Sequence, residues 1–147
     1  MSMLRMDHVG LIVEDLEAAI SFFETLGLQV EGRAEVGGEW AERVTALPGM
    51  RTRIAMLAAP DGSGRIEVGA FDSPAAVGRD RPRDEPHALG YRSVMFEVDD
   101  VDATVERLAA HGATLIGEAA TYEDSYRMCY LRGPEGIIVA LAESVRS

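Results

Sequence analysis

Two stretches of the chain carry the same pattern of apolar and polar positions about 85 residues apart, the kind of self-similarity that marks repeated modules. His8-Val9-Gly10-Leu11-Ile12-Val13 alternates as a strand, and Glu14-Asp15-Leu16-Glu17-Ala18 then opens a helical pattern. Ser93-Val94-Met95-Phe96-Glu97-Val98 followed by Asp99-Asp100-Val101-Asp102-Ala103 repeats that register. Leu16, Ala19, Ile20, Phe23 and Leu26 recur at helical spacing, giving one apolar face that must cover a sheet, and Val101, Val105 and Leu108 follow the same logic. Asp15 and Asp100 are suited to cap the free N–H groups of each helix, and Gly27 and Gly112 suit the left-handed position that ends it. Helices of equal length are expected.

Each helix is followed by short strand-like runs: 28–33, 53–58 and 65–71 in the first copy, and 113–116, 127–132 and 137–141 in the second. Pro60-Asp61-Gly62 and Gly133-Pro134-Glu135-Gly136 mark the turns before the last strand of each copy. The pattern predicts an α+β fold of two strand-helix-three-strand modules, 1–71 and 91–147, joined by a Pro- and charge-rich linker over 72–90. The stretch 37–50 is an insertion of the first copy in which Trp40, Val44 and Leu47 fall on helical spacing. It is read as a short helix at the border of a cleft, or as Trp40 packed under a loop.

Charge narrows the partners. A formal net charge of −11, without a local Lys/Arg-rich run, would repel a nucleic-acid backbone. No apolar run of about eighteen residues is present, and Met1 to Asp7 lacks the layout of a signal peptide, so a cytoplasmic protein that does not enter membranes is expected. The single cysteine, Cys129, cannot close an internal disulfide and reads as a buried apolar side chain.

Asp7-His8-Val9-Gly10 with Val13-Glu14-Asp15-Leu16, Ile66-Glu67-Val68, Phe96-Glu97-Val98-Asp99-Asp100-Val101 and the Gly133-Pro134-Glu135-Gly136 turn resemble the vicinal-oxygen-chelate superfamily from Met6 to Glu143. This is the group of glyoxalases, bleomycin resistance proteins and dioxygenases. The resemblance implies paired βαβββ modules forming an open, sheet-lined barrel around a small-molecule cavity. It also implies a divalent metal (Zn, Mn, Ni or Fe) held by one side chain from each of four strands, and a homodimer. His8 and Glu67 stand at two of those ligand positions, whereas Ser93 and Ala140 stand where histidine and glutamate are usual. Such an ion needs three or more protein donors to be held well, so a site of His8 and Glu67 must be completed by water and by the substrate's own oxygens.

Other residues bear on the same chemistry. Glu97 shares the face of Ser93 and is the substitute donor to consider, whereas Glu143 lies opposite Ala140. Glu67 and Glu123 are the candidate proton acceptors. A pairing of Glu67 with Arg65 is the structural alternative for that residue, and His87 is a further side chain whose reach the sequence does not fix. Tyr122-Glu123-Asp124-Ser125-Tyr126-Arg127 gathers tyrosines, acids and an arginine at a loop-to-strand junction. Ser93, Trp40, Tyr126, Tyr130 and Arg127 are therefore the candidate substrate contacts, with a surface ion pair as the alternative for Arg127. His111, at a helix end, is set aside. Two functions follow: a metal-dependent lyase, isomerase or dioxygenase, or a metal-free protein that sequesters a small molecule.

Overall fold

Strand β1 (Val9–Ile12) leads into helix α1 (Leu16–Leu26), and β2 (Gln29–Gly37), α2 (Glu39–Thr45), β3 (Arg51–Ala58) and β4 (Arg65–Ser73) complete the first half of the chain. The second half runs β5 (Ser93–Glu97), α3 (Val101–Ala109), β6 (Thr114–Tyr122), β7 (Tyr126–Arg132) and β8 (Ile138–Ser144). The structure is a computed structural model that describes residues 4–78, 86–87, 89–91 and 93–144. The chain divides into two compact units, residues 1–78 and 79–147. Each is a four-stranded sheet with a crossover helix, ordered β1-β4-β3-β2 in the first and β5-β8-β7-β6 in the second. In both, the first and last strands run parallel and the other neighbours antiparallel. The expected α+β plan of two βαβββ modules is the observed one.

The helices form where capping and apolar spacing coincide. Asp15 accepts the Ala18 N–H and Asp100 the Ala103 N–H, each at 3.0 Å, satisfying a donor that the helix leaves without an internal partner. Helix α1 covers β2, β3 and β4, burying Leu16, Ala19, Ile20, Phe22 and Phe23 against Leu57, Ile66 and Val68. Burial of each phenylalanine contributes roughly 1.5–3 kcal/mol, and the two rings meet edge to face at 5.1 Å. Phe22, absent from the expected stripe, is thus core, while Leu26 is only half-buried.

Helix α3 departs from expectation in two ways. It ends at Ala109, so its 9 residues are shorter than the 11 of α1. The ends are nevertheless built alike: Leu28 N–H reaches Phe23 O and Ala113 N–H reaches Leu108 O, around left-handed Gly27 and Gly112. The glycine signal marks the reversal of the chain, and α3 stops two residues earlier relative to it than α1 does. Its buried face is Val101, Thr104 and Leu108, with Val105 half-buried. Thr104 takes its place in the core by donating its hydroxyl to Asp100 O at 2.7 Å.

Strand β4 runs on to Ser73, so Asp72 belongs to the sheet, where its carboxylate takes Arg53 Nε at 3.1 Å, and not to a linker. Residues 79–85 and 88 of the expected linker lie outside the described residues. Among the described residues no helix is long and apolar enough to cross a membrane.

Candidate functional site

Each sheet has one face under its helix and one open face, and strand alternation decides which side chains reach which. On β4, Ile66, Val68 and Ala70 are buried on the α1 side, so Glu67 and Gly69 project to the open face. Gly10 pairs with Glu67 across the parallel β1–β4 ladder. His8, two residues before Gly10, therefore stands on the same face. The His8 Nε2 and Glu67 Oε2 atoms are 3.6 Å apart, both side chains about a third exposed (31% and 32%).

The other side of the imidazole is occupied. His8 Nδ1 lies 2.7 Å from Asp7 Oδ2, and Asp7 Oδ1 takes Arg5 at 2.8 Å. The bond from His8 and the charge of Arg5 hold the Asp7 carboxyl below the usual range for aspartate. An ionised carboxylate only accepts, so Nδ1 carries the proton of that bond. At 3.6 Å, Nε2 and Glu67 are too far apart for a hydrogen bond of their own. Arg65, the alternative partner of Glu67, instead gives Nε to Glu31 at 2.6 Å.

That separation has a chemical meaning. Two ligands each about 2.0–2.2 Å from a tetrahedral zinc ion lie about 3.3–3.6 Å from one another. His8 Nε2 and Glu67 Oε2 are thus spaced as one edge of such a shell. Among the described residues no group of three or more His, Cys, Asp or Glu side chains converges as a metal site. The residues fit half a shell and supply no third donor.

In the second module the equivalent positions differ. Met95 pairs with Ala140 in its parallel ladder as Gly10 pairs with Glu67 in the first. Ser93 and Ala140 are therefore the structural counterparts of His8 and Glu67, and neither can replace them as a ligand of comparable strength. Glu97 does share the face of Ser93 but stands four residues along β5, about 13 Å at strand rise. It cannot substitute for the same ligand. Glu143 turns to the other face, where its Oε1 accepts the Val101 N–H at 2.9 Å at the start of α3.

The remaining candidates separate by face. Tyr130 pairs with Ala140 and Tyr126 with Ser144, so both tyrosines share the open face with Ser93. The Tyr126 ring lies 5.5 Å from that of Tyr122 across the hairpin. Arg127 does not join them. It pairs with Glu143 in the ladder on the helix side, and its guanidinium holds Asp102 of α3 at 3.1 Å, an ion pair of the kind given as its alternative reading.

Glu123 sits exposed at the β6–β7 turn, where it and Asp124 take successive left-handed backbone angles and Ser125 N–H closes the turn on Tyr122 O. Trp40 is on α2 with 67% of its surface exposed, which excludes packing under a loop. His87 lies exposed in a turn, outside both sheets. A cavity of about 330 Å³ lined by Glu35, Val36, Gly37, Gly38, Arg51, Thr52 and Asp72 opens at the far end of β4 from His8 and contains none of the candidate residues.

Asp7 was not singled out by sequence reasoning. The signal was present in the Asp-His dipeptide, but adjacent residues of a strand ordinarily point apart. Their pairing is possible because both precede β1.

Comparison with known proteins agrees with this architecture. The family model described as glyoxalase/bleomycin resistance protein/dioxygenase superfamily matches residues 5–141. A glyoxalase family protein from Bacillus cereus is 52% identical, with a TM-score of 0.92 over 97% of this chain and 95% of that one. A glyoxalase/bleomycin resistance protein/dioxygenase domain from Frankia shares the fold at 20% identity and a TM-score of 0.66, over 97% and 93% of the two chains. So does a fosfomycin resistance protein from Listeria monocytogenes, solved with Mn(II) and a dihydroxypropylphosphonic acid, at 15% identity and a TM-score of 0.60 over 95% and 89%. No curated protein matches the chain.

Proposed function

The chain belongs to the glyoxalase/bleomycin resistance protein/dioxygenase superfamily, and from that premise we propose that it is a small-molecule enzyme of lyase, isomerase or dioxygenase type using a divalent ion held weakly by His8 and Glu67. The observation that carries this reading is the convergence of His8 Nε2 and Glu67 Oε2 at 3.6 Å on the open face of one sheet. When bound, the ion supplies Lewis acidity to a substrate oxygen, and adjacent oxygens of the ligand complete its shell. Glu67 keeps a second oxygen that can accept a proton, the role expected of a carboxylate beside an acidified carbon.

Ser93, Tyr126 and Tyr130 carry hydroxyls next to apolar Met95 and Ala140 in the second module, a surface suited to an apolar ligand with few polar anchors. Trp40 offers an exposed ring in the first. Glu123 and Arg127 have no part in the proposal. The active species is proposed to be a homodimer, because each open sheet leaves edge strands that a second chain can cover.

Calorimetric titration of chelator-treated protein with Zn²⁺, Mn²⁺, Ni²⁺ and Fe²⁺ tests the reading. Binding that weakens at least about tenfold in His8→Gln and in Glu67→Gln is expected, and no binding, or binding indifferent to both changes, contradicts it. The missing donors at Ser93 and Ala140 favour a second reading, a metal-free protein that sequesters a small molecule. Under that reading, stabilisation by a ligand in a thermal-shift screen persists in excess chelator.

A further inference from the structure

Gly10 and Met95 hold equivalent places in the two modules, pairing with Glu67 and Ala140 across their parallel ladders. Met95 keeps 54% of its surface exposed on the open face of its sheet, so a βαβββ module of this chain accommodates a long side chain there. The first module has none, and the gap falls beside Glu67.

Glycine inside a strand forgoes packing and loses more freedom on folding than any other residue. It is retained where a left-handed angle, a crowded neighbour or a close approach to the backbone requires it. The first two do not hold for Gly10. It is not among the glycines of positive φ, and a Cβ built on it would meet no atom within 4 Å. Gly69 on the neighbouring strand is the opposite case, because a Cβ there would meet Ile54 Cγ2 at 3.3 Å and Ile12 Cδ1 at 3.5 Å. What is left for Gly10 is close approach by another molecule.

The surroundings define that molecule. His8 and Ile12 flank Gly10 on the same face, four residues and about 13 Å apart at strand rise, an interval with room for one six-membered ring. Ile12 is half exposed, at 51%, and forms the apolar end. Across the ladder stands Glu67, with Met56 beyond it. An ionised carboxylate only accepts, so the polar end of a ligand at Glu67 must donate. Asp7 and Glu67 are opposed by Arg5 alone when His8 is neutral, and the remaining negative charge disfavours an anion.

We propose that Gly10 is a specificity-determining residue: its missing side chain leaves a slot in which the apolar ring of a neutral, hydroxyl-bearing ligand lies on the backbone of β1 and donates its hydroxyl to Glu67. The inference rests on the small-molecule site read at His8 and Glu67 and requires no cation there.

Benzyl alcohol is the probe, titrated into ¹⁵N-labelled protein in excess chelator and followed by ¹H–¹⁵N spectra, with toluene and benzoate as the ligands lacking a donor and carrying a charge. The Gly10 and Glu67 amides are expected to shift with benzyl alcohol, which should bind several-fold more tightly than either control. Gly10→Ala should weaken binding, and Gly10→Met, which copies the second module, should weaken it at least about tenfold, the scale on which a filled pocket rejects a ligand. Both variants should melt at or above the wild-type temperature, because Gly10 has a backbone that other residues adopt and space around it. A purely structural glycine would give the reverse, lower stability with binding intact, and that result overturns the proposal. So do an unshifted Gly10 amide up to the solubility of benzyl alcohol, benzoate bound as tightly, or a Gly10→Met protein whose mass by light scattering falls, which would assign Gly10 to a contact between chains. Metal titration of the wild type is read separately: an ion bound through His8 and Glu67 with no probe at Gly10 keeps the enzyme reading and refutes the slot, whereas probe binding in chelator with no ion bound does the opposite.

Discussion

Replacing Glu143 with alanine takes away the acceptor of the Val101 N–H, a bond of 2.9 Å in a part-buried setting. Asp100 caps the same helix end through Ala103 N–H at 3.0 Å, so two carboxylates satisfy two different donors of the first turn of α3. A hydrogen bond to a charged group contributes roughly 1.5–3 kcal/mol, and partial solvent access favours the lower part of that range. Loss of an aspartate cap costs typically about 1 kcal/mol. Glu143→Ala should therefore lower stability by about 1.5 kcal/mol, Asp100→Ala by about 1, and the double variant by somewhat more than the sum, because each single change already gains the relief of the repulsion between the two carboxylates and the double gains it only once. Glu143→Gln retains an acceptor and should lose only the helix-dipole share, about 0.3–1 kcal/mol. Urea titrations followed by far-ultraviolet circular dichroism measure all four. Calorimetry adds that metal affinity is unchanged in Glu143→Gln. A Glu143→Ala protein as stable as wild type, or one that loses metal binding without losing stability, would refute the assignment of Glu143 to the helix.

Two further predictions follow from burial and facing. Arg127→Ala should leave ligand and metal binding unchanged, because the guanidinium is engaged with Asp102 on the helix side, and weakened ligand binding in a stably folded variant would return Arg127 to the site. Burial raises the Cys129 thiol above its ordinary range, which depletes the reactive thiolate, so at about pH 8 a disulfide reagent should label it slowly in the native protein and rapidly in urea. Fast native labelling would contradict its buried place in strand β7.

Much of the architecture was legible because local chemistry and global fold agree. Asp15 and Asp100 cap helices where the apolar period begins, and Gly27 and Gly112 take the left-handed angles that their positions suggest. Elements whose limits depend on tertiary contacts were less so. Strand β4 extends through Asp72 because Arg53 across the ladder receives it, and Thr104 is core because Asp100 O absorbs its hydroxyl. Neither is encoded in hydropathy. For the site, the family resemblance is what brought His8 together with Glu67, and alternation separates Arg127 from Tyr126 and Tyr130 but leaves open which of those two faces the helix covers. Contact between α3 and β7 decides that. Asp7 was missed because its action depends on side-chain rotation ahead of a strand, which periodicity does not report.

The central claim is that His8 and Glu67 form one edge of a cation shell. An anomalous difference map, recorded at the absorption edge of Mn or Zn from crystals grown with that metal, tests it most directly. The account predicts a peak within about 2.0–2.3 Å of both His8 Nε2 and Glu67 Oε2, lost in crystals of His8→Gln. A map with no peak between the two side chains at saturating metal, or with the metal bound elsewhere, would contradict it.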